Sequence, residues 1–375
     1  MKKKLRTFES EVIVIKIGSS ILIKNDDFNE KKLKQILDDI KIFHKKNKKV
    51  ILVASGAVAL GIKYIDYQSD SKLTIKQKQA VASCGQSLLM RYFLEIFEKS
   101  KLRVAQILLT LGDTEDRKRS LQARDTLKIL LDKGVVPIIN ENDSIANEEL
   151  KIGDNDRLAA RVAQIVSADL LILLSDVDGL YDKNPKNYPD AKLISEVKTI
   201  DSKLIKMSDN HISKYGSGGM KTKILAAEIT TSFGCDTVIC SGLKKRSLEK
   251  IANDKYVPST RFISQKNKRK NHFKNWLAGS INILGKVTID DGAFEALKKG
   301  ASLLPSGVIS ITGKFRTGDV LEIITKNKKI IGKGIVSYDH KEVKLIKGKN
   351  SNQIENILGY ISSDELIHRD NMIIK

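Results

Sequence analysis

Short apolar runs alternate with longer stretches of helical periodicity through roughly the first 240 residues. Several of the runs are apolar throughout, as expected of strands that are buried on both faces of a parallel sheet. Between them, apolar side chains recur at helical spacing in residues 31–43 and 120–131. The alternation predicts an α/β fold with a mostly parallel sheet sandwiched by helices. The predicted strands are residues 12–17, 50–54, 104–109, 135–139, 170–174 and 237–240.

The pattern changes after residue 264. Residues 265–275 read QKNKRKNHFKN, with five basic residues and no acidic one, which is typical of an exposed connector. Beyond it, short alternating runs such as residues 308–312 and 320–324 are separated by glycines. We therefore predict a larger α/β domain at residues 1–264, a basic linker at 265–280 and a small β-rich, barrel-like domain at 281–375.

Composition narrows the class of protein. With 375 residues, 41% hydrophobic and 30% charged, the chain has the composition of a folded globular protein with two domains. No stretch approaches the ~18 consecutive apolar residues of a spanning helix, and the N-terminal segment does not read as a secretory signal. The cysteines, Cys84, Cys235 and Cys240, form no Cys-x-x-Cys pair, which favours a reducing cytoplasm over a disulfide or zinc framework.

The chain is strongly basic, with 66 Lys and Arg against 45 Asp and Glu and a net charge of +21. Such a charge favours nucleic acid, anionic membranes or anionic small ligands as partners. The excess is mostly lysine and is spread along the chain, which is more typical of a compositional bias than of a dedicated patch. The charge alone therefore does not identify a partner.

Familiar nucleotide and metal motifs are missing from the sequence. It contains neither a G-x-x-x-x-G-K-[ST] loop nor a G-x-G-x-x-G fingerprint after a strand, and its five histidines show no H-E-x-x-H spacing. We therefore expect neither a P-loop nor a dedicated metal site.

Two turns that follow predicted strands combine small residues with a lysine or a hydroxyl. Lys16 precedes Gly18 and two serines, which together offer a cation and backbone N–H groups to phosphate oxygens. The alternative is a strand lysine before an ordinary turn. Ser55 and Gly56 lead from the strand at residues 50–54 toward a helix, so either free amides lie beside a binding hydroxyl or Ser55 simply caps that helix.

Acidic and amide side chains follow further along the chain. Residues 140–143 read Asn-Glu-Asn-Asp just past the predicted strand 135–139, and residues 154–156 read Asp-Asn-Asp at the start of a predicted helix. Carboxylates at such a position can cap the helix, bind an amino group or orient lysines. Capping accounts for one acid, so the others indicate a site.

Two more loops complete the set. Ser175 and Asp176 follow the apolar strand 170–174, and residues 215–223 read YGSGGMKTK. The glycines suit either a flexible loop or a phosphate cradle, and the helical run that begins at Lys223 has an N-terminus that attracts phosphate. Separated lysines, Gly-rich turns and a cluster of amides and carboxylates at strand ends favour phosphoryl transfer. That reaction depends on positioning and charge neutralisation rather than on a protein nucleophile.

The order and wording of these motifs resemble the amino acid kinase family over nearly the whole chain. Within that family, the match is to the bacterial enzymes that phosphorylate the γ-carboxylate of glutamate and carry a PUA domain after the kinase domain. The residues that carry the resemblance are VIKIGSS, ILVASGAVALG, CGQSLLMRYF, ARDTLKILLDKGVVPIINENDSIA, KIGDNDRLAARVA, LLILLSDVDGLYD, GSGGMKTK and, in the second domain, IDDGAFEALKKGASLLPSGVISITGKF.

The resemblance implies ATP-dependent phosphorylation of glutamate to glutamyl 5-phosphate, the first step of proline biosynthesis. It implies that Lys16 and Lys223 contact the phosphates and stabilise the transferring group, while Asp156 holds both lysines. The family's glutamate-binding positions match Ser55, Asp143 and Asn155, with Asn140 a neighbouring candidate. Its nucleotide-binding positions match Lys16, Ser175, Asp176, Ser217, Gly218, Gly219, Met220, Lys221, Thr222 and Lys223. Mg²⁺ would be held mainly by the phosphates of ATP.

The resemblance also implies partners. Proline is the expected inhibitor, a homo-oligomer is the expected assembly, and the reductase that consumes glutamyl 5-phosphate is a possible partner. The PUA domain binds RNA in other proteins, and its basic stretches at residues 326–333 and 341–349 suit phosphates. Because few aromatic residues are available there for base stacking, we favour a structural or regulatory role, with no membrane partner.

Two alternatives stay open on the sequence alone. The first is another amino acid kinase, acting on aspartate, acetylglutamate, carbamate or a nucleoside monophosphate, because the phosphate-binding residues would look alike. The acceptor residues Asp143 and Asn155 suit a free α-ammonium, which acetylglutamate and carbamate lack. The second is an RNA-binding protein with an inactive kinase-like domain, and the joint presence of Lys16, Asp156 and Lys223 argues against it.

Overall fold

The computed structural model describes residues 10–25, 27–67, 73–146, 155–185, 187–202, 204–205, 219–264 and 283–374. The chain divides into two units, Met1–Arg269 and Lys270–Lys375. The linker predicted at residues 265–280 lies outside the described residues.

The first unit alternates strands and helices as the apolar pattern predicts. Its strands are β1 (Val12–Ile17), β2 (Ile23–Lys24), β3 (Asp27–Phe28), β4 (Lys49–Ala54), β5 (Val104–Leu109), β6 (Val136–Glu141), β7 (Leu170–Ser175), β8 (Glu196–Val197), β9 (Asp236–Ser241) and β10 (Ser259–Phe262). Its helices are α1 (Ser19–Leu22), α2 (Glu30–Lys45), α3 (Ala57–Tyr64), α4 (Ile75–Glu98), α5 (Leu111–Glu115), α6 (Arg117–Asp132), α7 (Asn155–Ile165), α8 (Met220–Ser232) and α9 (Ser247–Ala252).

Eight of these strands form one sheet in the order β5-β6-β4-β1-β7-β9-β10-β8. In this order, neighbouring strands among the first six, β5-β6-β4-β1-β7-β9, pair in parallel. Strand β10 runs antiparallel to β9 and pairs in parallel with β8. The mostly parallel sheet predicted from the sequence is therefore confirmed. Strand β1 lies between β4 and β7, so the carboxyl end of β1 is flanked by the carboxyl ends of both neighbours.

Each face of the sheet has its own core, because successive side chains of a strand point to opposite faces. In β1, Ile13, Ile15 and Ile17 pack with apolar residues of α2, α3, α4 and α9. Val14 belongs to the opposite core, with residues of α6, α7 and α8. The same alternation places Lys16 on the face of Val14, toward α7 and α8. This placement brings a lysine near the N-terminal ends of two helices.

Helices α3 and α4 are in backbone contact through two glycines. A Cβ on Gly61 would lie 1.7 Å from the carbonyl oxygen of Val81, and a Cβ on Gly85 would lie 1.8 Å from that of Ala57. Any larger residue would push the helices apart. Because α3 begins directly after the turn at Ser55, this contact holds α4 next to the carboxyl end of β4.

The strands of the second unit are β11 (Gly285–Ile289), β12 (Val308–Gly313), β13 (Val320–Thr325), β14 (Ile330–Ile335) and β15 (Met372–Ile374). They form a separate five-stranded sheet in the order β12-β11-β13-β14-β15. Its core includes Tyr338, whose hydroxyl accepts backbone N–H groups of Ser362 and Ser363. The two strands predicted at residues 308–312 and 320–324 are present as β12 and β13. The α-helices of this unit are α10 (Asp291–Lys298), α11 (His340–Ile346) and α12 (Ile354–Leu358).

One strand boundary differs in a way that affects the site. The predicted strand 135–139 is β6, Val136–Glu141, so Asn140 and Glu141 lie within the strand rather than past it. Both pair with β5, opposite Leu108 and Leu109, and both side chains are buried. The polar residues continue the strand because the sheet buries them next to the site.

In the part of the chain that the structure describes, no helix is both long and apolar enough to cross a membrane.

Candidate active site

Two lysines and one carboxylate meet at the carboxyl edge of the sheet. The Nζ atom of Lys16 lies 2.8 Å from Oδ1 of Asp156, and the Nζ atom of Lys223 lies 3.0 Å from Oδ2 of the same residue. The hydroxyl of Thr222 donates a hydrogen bond to Oδ2 of Asp156 at 2.8 Å. One carboxylate therefore holds two ammonium groups that come from distant parts of the chain.

The three charged residues of this cluster lie on three different secondary-structure elements. Lys16 lies near the end of β1, Asp156 in the first turn of α7, and Lys223 in the first turn of α8. The dipoles of α7 and α8 favour negative charge at their N-terminal ends. With two ammonium groups and one carboxylate, the cluster keeps a net positive charge and suits an anionic ligand.

Asp156 is ionised in this setting. Burial alone would raise the pKa of its carboxyl group, but the charges of Lys16 and Lys223, with hydrogen bonds from Lys16 and Thr222, hold that pKa below its ordinary value. The carboxylate thus stays a fixed counterion through the physiological pH range.

A second group of side chains lies beside this cluster, toward β4 and β6. The Nδ2 amide of Asn155 lies 2.9 Å from the carbonyl oxygen of Ala54, 2.8 Å from Oγ of Ser55 and 2.9 Å from Oδ1 of Asn140. The Nδ2 amide of Asn140 donates to Oε1 of Gln86 at 2.7 Å. The structure thus brings together three of the predicted acceptor residues.

Ser55 does not cap α3. The N-cap of that helix is Gly56, with a φ of 124°, which favours glycine. The hydroxyl of Ser55 instead accepts the amide of Asn155. The capping interpretation of Ser55 was therefore wrong, because Gly56 is the N-cap residue and no side chain among the described residues caps this helix.

The fourth predicted acceptor residue, Asp143, is buried in the turn after β6. Burial, and secondly the negative charge of Glu141, raise the pKa of Asp143 from 3.8 to about 7. Both side chains are nearly inaccessible, at 9% and 4% exposure. An ammonium ion bound beside this carboxyl group would lower its pKa and favour its ionised form.

The predicted nucleotide residues lie on the other side of β1. Ser175 ends β7 and donates a hydrogen bond to Asp176 at 3.1 Å, and Asp176 is exposed. Gly219 is the N-cap of α8, whose first turn contains Met220, Lys221 and Thr222 as well as Lys223. Ser217 and Gly218 lie outside the described residues, as does Asp154.

The sheet order separates these two groups. Asn140 and Ser55 lie at the ends of β6 and β4, whereas Ser175 lies at the end of β7. Lys16 belongs to β1, which pairs with both β4 and β7. The lysine pair therefore lies between the amide side chains near the ends of β4 and β6 and Ser175 at the end of β7, at the switch point where open α/β sheets bind ligands.

Sequence reasoning missed two contributors. Gln86 occurs in the segment CGQSLLMRYF, but no spacing rule connects it with Asn140, which is 54 residues away. The sequence motif at residues 140–143 includes Glu141, but it does not indicate that the charge of Glu141 raises the pKa of Asp143. Among the described residues, no group of three or more His, Cys, Asp or Glu side chains is placed to hold a metal ion.

A parallel α/β sheet with two lysines on one carboxylate at its carboxyl edge, and no P-loop, defines a class of phosphotransferase. Comparison with known proteins identifies the family. Residues 11–241 match the amino acid kinase family, and residues 285–358 match the PUA domain. The chain belongs to the amino acid kinase family and carries a PUA domain, which confirms the resemblance seen in the motifs.

The relatives cover nearly the whole chain. The chain is 47% identical to the glutamate 5-kinase of Pelagibacter ubique, over 97% of this chain and 98% of that protein. It is 42% identical to the glutamate 5-kinase of Bradyrhizobium diazoefficiens, over 96% of each chain. Among solved structures, the carbamate kinase of Giardia lamblia bound to AMP-PNP matches 68% of this chain and 99% of its own, with 16% identity and a TM-score of 0.49.

Proposed function

We propose that this protein transfers the γ-phosphoryl group of ATP to the γ-carboxylate of glutamate. The product is glutamyl 5-phosphate, and the reaction is the first step of proline biosynthesis. One observation carries the proposal: the Lys16–Asp156–Lys223 cluster stands between a pocket that suits an amino acid and a helix N-terminus that suits phosphates. The relatives named glutamate 5-kinase support the choice of glutamate.

The lysine cluster is the proposed catalytic centre. Transfer of a phosphoryl group spreads negative charge over its three equatorial oxygens, so the main requirement is positive charge held in place. Lys16 and Lys223 supply that charge, and the ionised Asp156 keeps both ammonium groups oriented. The substrate's own carboxylate oxygen attacks phosphorus, so the protein needs no nucleophile.

The amide pocket is the proposed glutamate site. Asp143 would pair with the α-ammonium, whose positive charge would favour the ionised form of this buried carboxyl group. Ser55, Asn140 and Asn155 would orient the rest of the acceptor. Acetylglutamate and carbamate have no ammonium group and would leave Asp143 without a counterion, so this pocket favours a free amino acid.

The Gly-rich side is the proposed ATP site, made by Ser175, Asp176 and residues 217–223. Mg²⁺ usually keeps several waters and binds through substrate phosphates, so we assign it no dedicated protein ligand. The α8 N-terminus offers backbone N–H groups to the phosphates next to Lys223.

The biological setting is part of the same proposal. The enzyme would act in the cytoplasm, in line with three cysteines that are all free. Proline would inhibit it, and it would form a homo-oligomer. The acyl phosphate product is labile in water, which makes a reductase that receives it directly a sensible partner.

The PUA domain match suggests RNA as a ligand of the second unit. We favour a structural or regulatory role, and filter binding tests the alternative. Salt-sensitive retention of RNA would establish RNA binding, whereas no retention at low salt would exclude it.

A comparison of phosphoryl-acceptor substrates in separate incubations tests the proposed function. Purified protein is incubated with MgATP, hydroxylamine and either glutamate, aspartate, acetylglutamate or carbamate, and both ADP and the trapped product are measured. We expect ADP release and hydroxamate with glutamate alone. Product from a different acceptor would keep the kinase and reassign the pocket, and absence of product from every acceptor would contradict the proposal.

A further inference from the structure

A chain of side-chain amides runs from helix α4 into the proposed acceptor pocket. Gln86 accepts from Asn140 at 2.7 Å, Asn140 accepts from Asn155 at 2.9 Å, and Asn155 donates to the carbonyl oxygen of Ala54 at 2.9 Å. Asn140 and Asn155 are each 3% exposed, and Gln86 is half-buried. The first member of this chain has no role in the function proposed above.

The direction of every amide in the chain is fixed from one end. A backbone carbonyl can only accept a hydrogen bond, so Asn155 must turn its N–H₂ group toward Ala54. Asn140 must then present its oxygen to Asn155 and its own N–H₂ group to Gln86. Gln86 in turn must present its oxygen, Oε1, to Asn140. The side chain at position 86 must therefore supply a hydrogen-bond acceptor for the N–H₂ group of Asn140.

One atom of this hydrogen-bonded chain has no hydrogen-bond partner in the part of the protein that the structure describes. Oδ1 of Asn155 is buried and has no hydrogen-bond partner among the described residues. A buried hydrogen-bond acceptor without a partner is costly, and a bound ligand that supplies a donor would remove that cost. A hydrogen-bond donor from the acceptor substrate, such as its α-ammonium, would satisfy it. If Asn140 lost its orientation, Asn155 would lose one of the contacts that hold it.

Gln86 is well supported for such a role. It follows Gly85, whose backbone lies against Ala57 at the start of α3, so the helix cannot shift relative to the turn at Ser55. A rigid element gives more precise positioning than a loop does.

We propose that Gln86 is a positioning residue for the acceptor substrate: its Oε1 atom orients the amide of Asn140, and through it Asn155, for substrate binding. The proposal rests on the proposed function in that the substrate is glutamate. It assigns to Gln86 an effect on acceptor affinity that acts through Asn140.

Three variants separate this role from packing. Gln86→Leu keeps a side chain of similar size but removes the hydrogen-bond acceptor. Gln86→Glu keeps a hydrogen-bond-accepting oxygen at the same distance from the backbone. Gln122→Leu is the matched control, because Gln122 is an exposed glutamine on α6. Thermal unfolding of each variant shows whether it is folded, and Gln86→Met replaces Gln86→Leu if the latter is not.

Leaving the buried N–H₂ group of Asn140 without a partner should raise the KM for glutamate about 10- to 100-fold in Gln86→Leu. The KM for ATP and the unfolding temperature should stay within the range of the Gln122→Leu control. Gln86→Glu should recover most of the loss. A glutamate KM in Gln86→Leu equal to that of wild type, or a greater loss in Gln86→Glu than in Gln86→Leu, would overturn the proposal.

A double-mutant cycle with Asn140→Ala tests whether the effect passes through Asn140. We expect Gln86→Leu to change the glutamate KM by less than about twofold in the Asn140→Ala background. Fully additive effects would overturn the proposal. If wild type acts on another acceptor of the panel but not on glutamate, the proposed function fails, and the same cycle on that acceptor still decides the role of Gln86.

Discussion

Asp143 gives the proposed glutamate site a pH dependence that an ordinary aspartate would not have. Burial and the charge of Glu141 raise its pKa to about 7, so the free enzyme takes up a proton there as the pH falls through neutrality. The α-ammonium of glutamate needs the ionised carboxylate. Binding at low pH must therefore release that proton, and the KM for glutamate should rise as the pH decreases.

The size of the effect follows from the ionised fraction. With a pKa of about 7, that fraction is roughly 90% at pH 8 and roughly 10% at pH 6, so the KM for glutamate should be about tenfold higher at pH 6. A carboxyl group with the ordinary value of 3.8 would be almost fully ionised at both pH values and would give no change.

The assay is initial-rate ADP release at saturating MgATP, with glutamate varied at each pH from 6 to 8. Saturating nucleotide removes the titration of the ATP phosphates from the KM for glutamate. Glutamate itself keeps its ammonium and both carboxylates ionised over this range. Glu141→Gln should lower the pKa of Asp143 and move the rise in KM to lower pH.

The control is Asp143→Asn, which cannot titrate. Its KM for glutamate should be high and independent of pH. A wild-type KM that changes less than about twofold between pH 6 and 8 would refute the assignment of Asp143 to the ammonium. The same conclusion would follow if Asp143→Asn kept the wild-type pH dependence.

Three further perturbations test other parts of the molecule. Lys16→Ala and Lys223→Ala should each lower kcat about 10²- to 10³-fold with the fold intact, and unchanged turnover in either would contradict the catalytic role of the pair. Asp156→Asn should cost about 3–5 kcal/mol of unfolding free energy in denaturant titrations, because it removes the carboxylate that pairs with both buried lysines, and a stability equal to wild type would contradict the ion-pair geometry. Gly85→Ala should destabilise by about 3 kcal/mol, since its Cβ would lie 1.8 Å from a carbonyl oxygen, whereas Gly112→Ala, with 3.6 Å of space, should unfold like wild type.

The sequence was informative where local periodicity decides the structure. Apolar runs predict the strands, and period-two alternation places Lys16 on the face that α7 and α8 cover. The N-terminal turns of those helices then bring Asp156 and Lys223 to the same edge. Much of the lysine cluster was thus accessible to pattern reasoning, because parallel strands end at one edge of a sheet.

The amide chain could not be predicted in the same way. Its contacts join residues 54 and 101 positions apart, and they depend on how closely α3 and α4 pack. The end of β6 was misplaced for a related reason: the apolar run stops at Ile139, but Asn140 and Glu141 stay in the strand because the sheet pairing and the site bury them. Tertiary contacts, rather than local preference, set both features.

The central claim is that the γ-carboxylate of glutamate attacks the γ-phosphorus of ATP, and oxygen transfer tests it most directly. Glutamate labelled with ¹⁸O in its γ-carboxylate is incubated with the protein, MgATP and hydroxylamine, and the released phosphate is examined by ³¹P NMR. Attack by the carboxylate leaves its oxygen bridging to phosphorus, and hydroxylamine then displaces phosphate from the carbonyl carbon. We expect one ¹⁸O atom in each phosphate released. Phosphate without ¹⁸O would show that ATP is merely hydrolysed, and it would contradict the account.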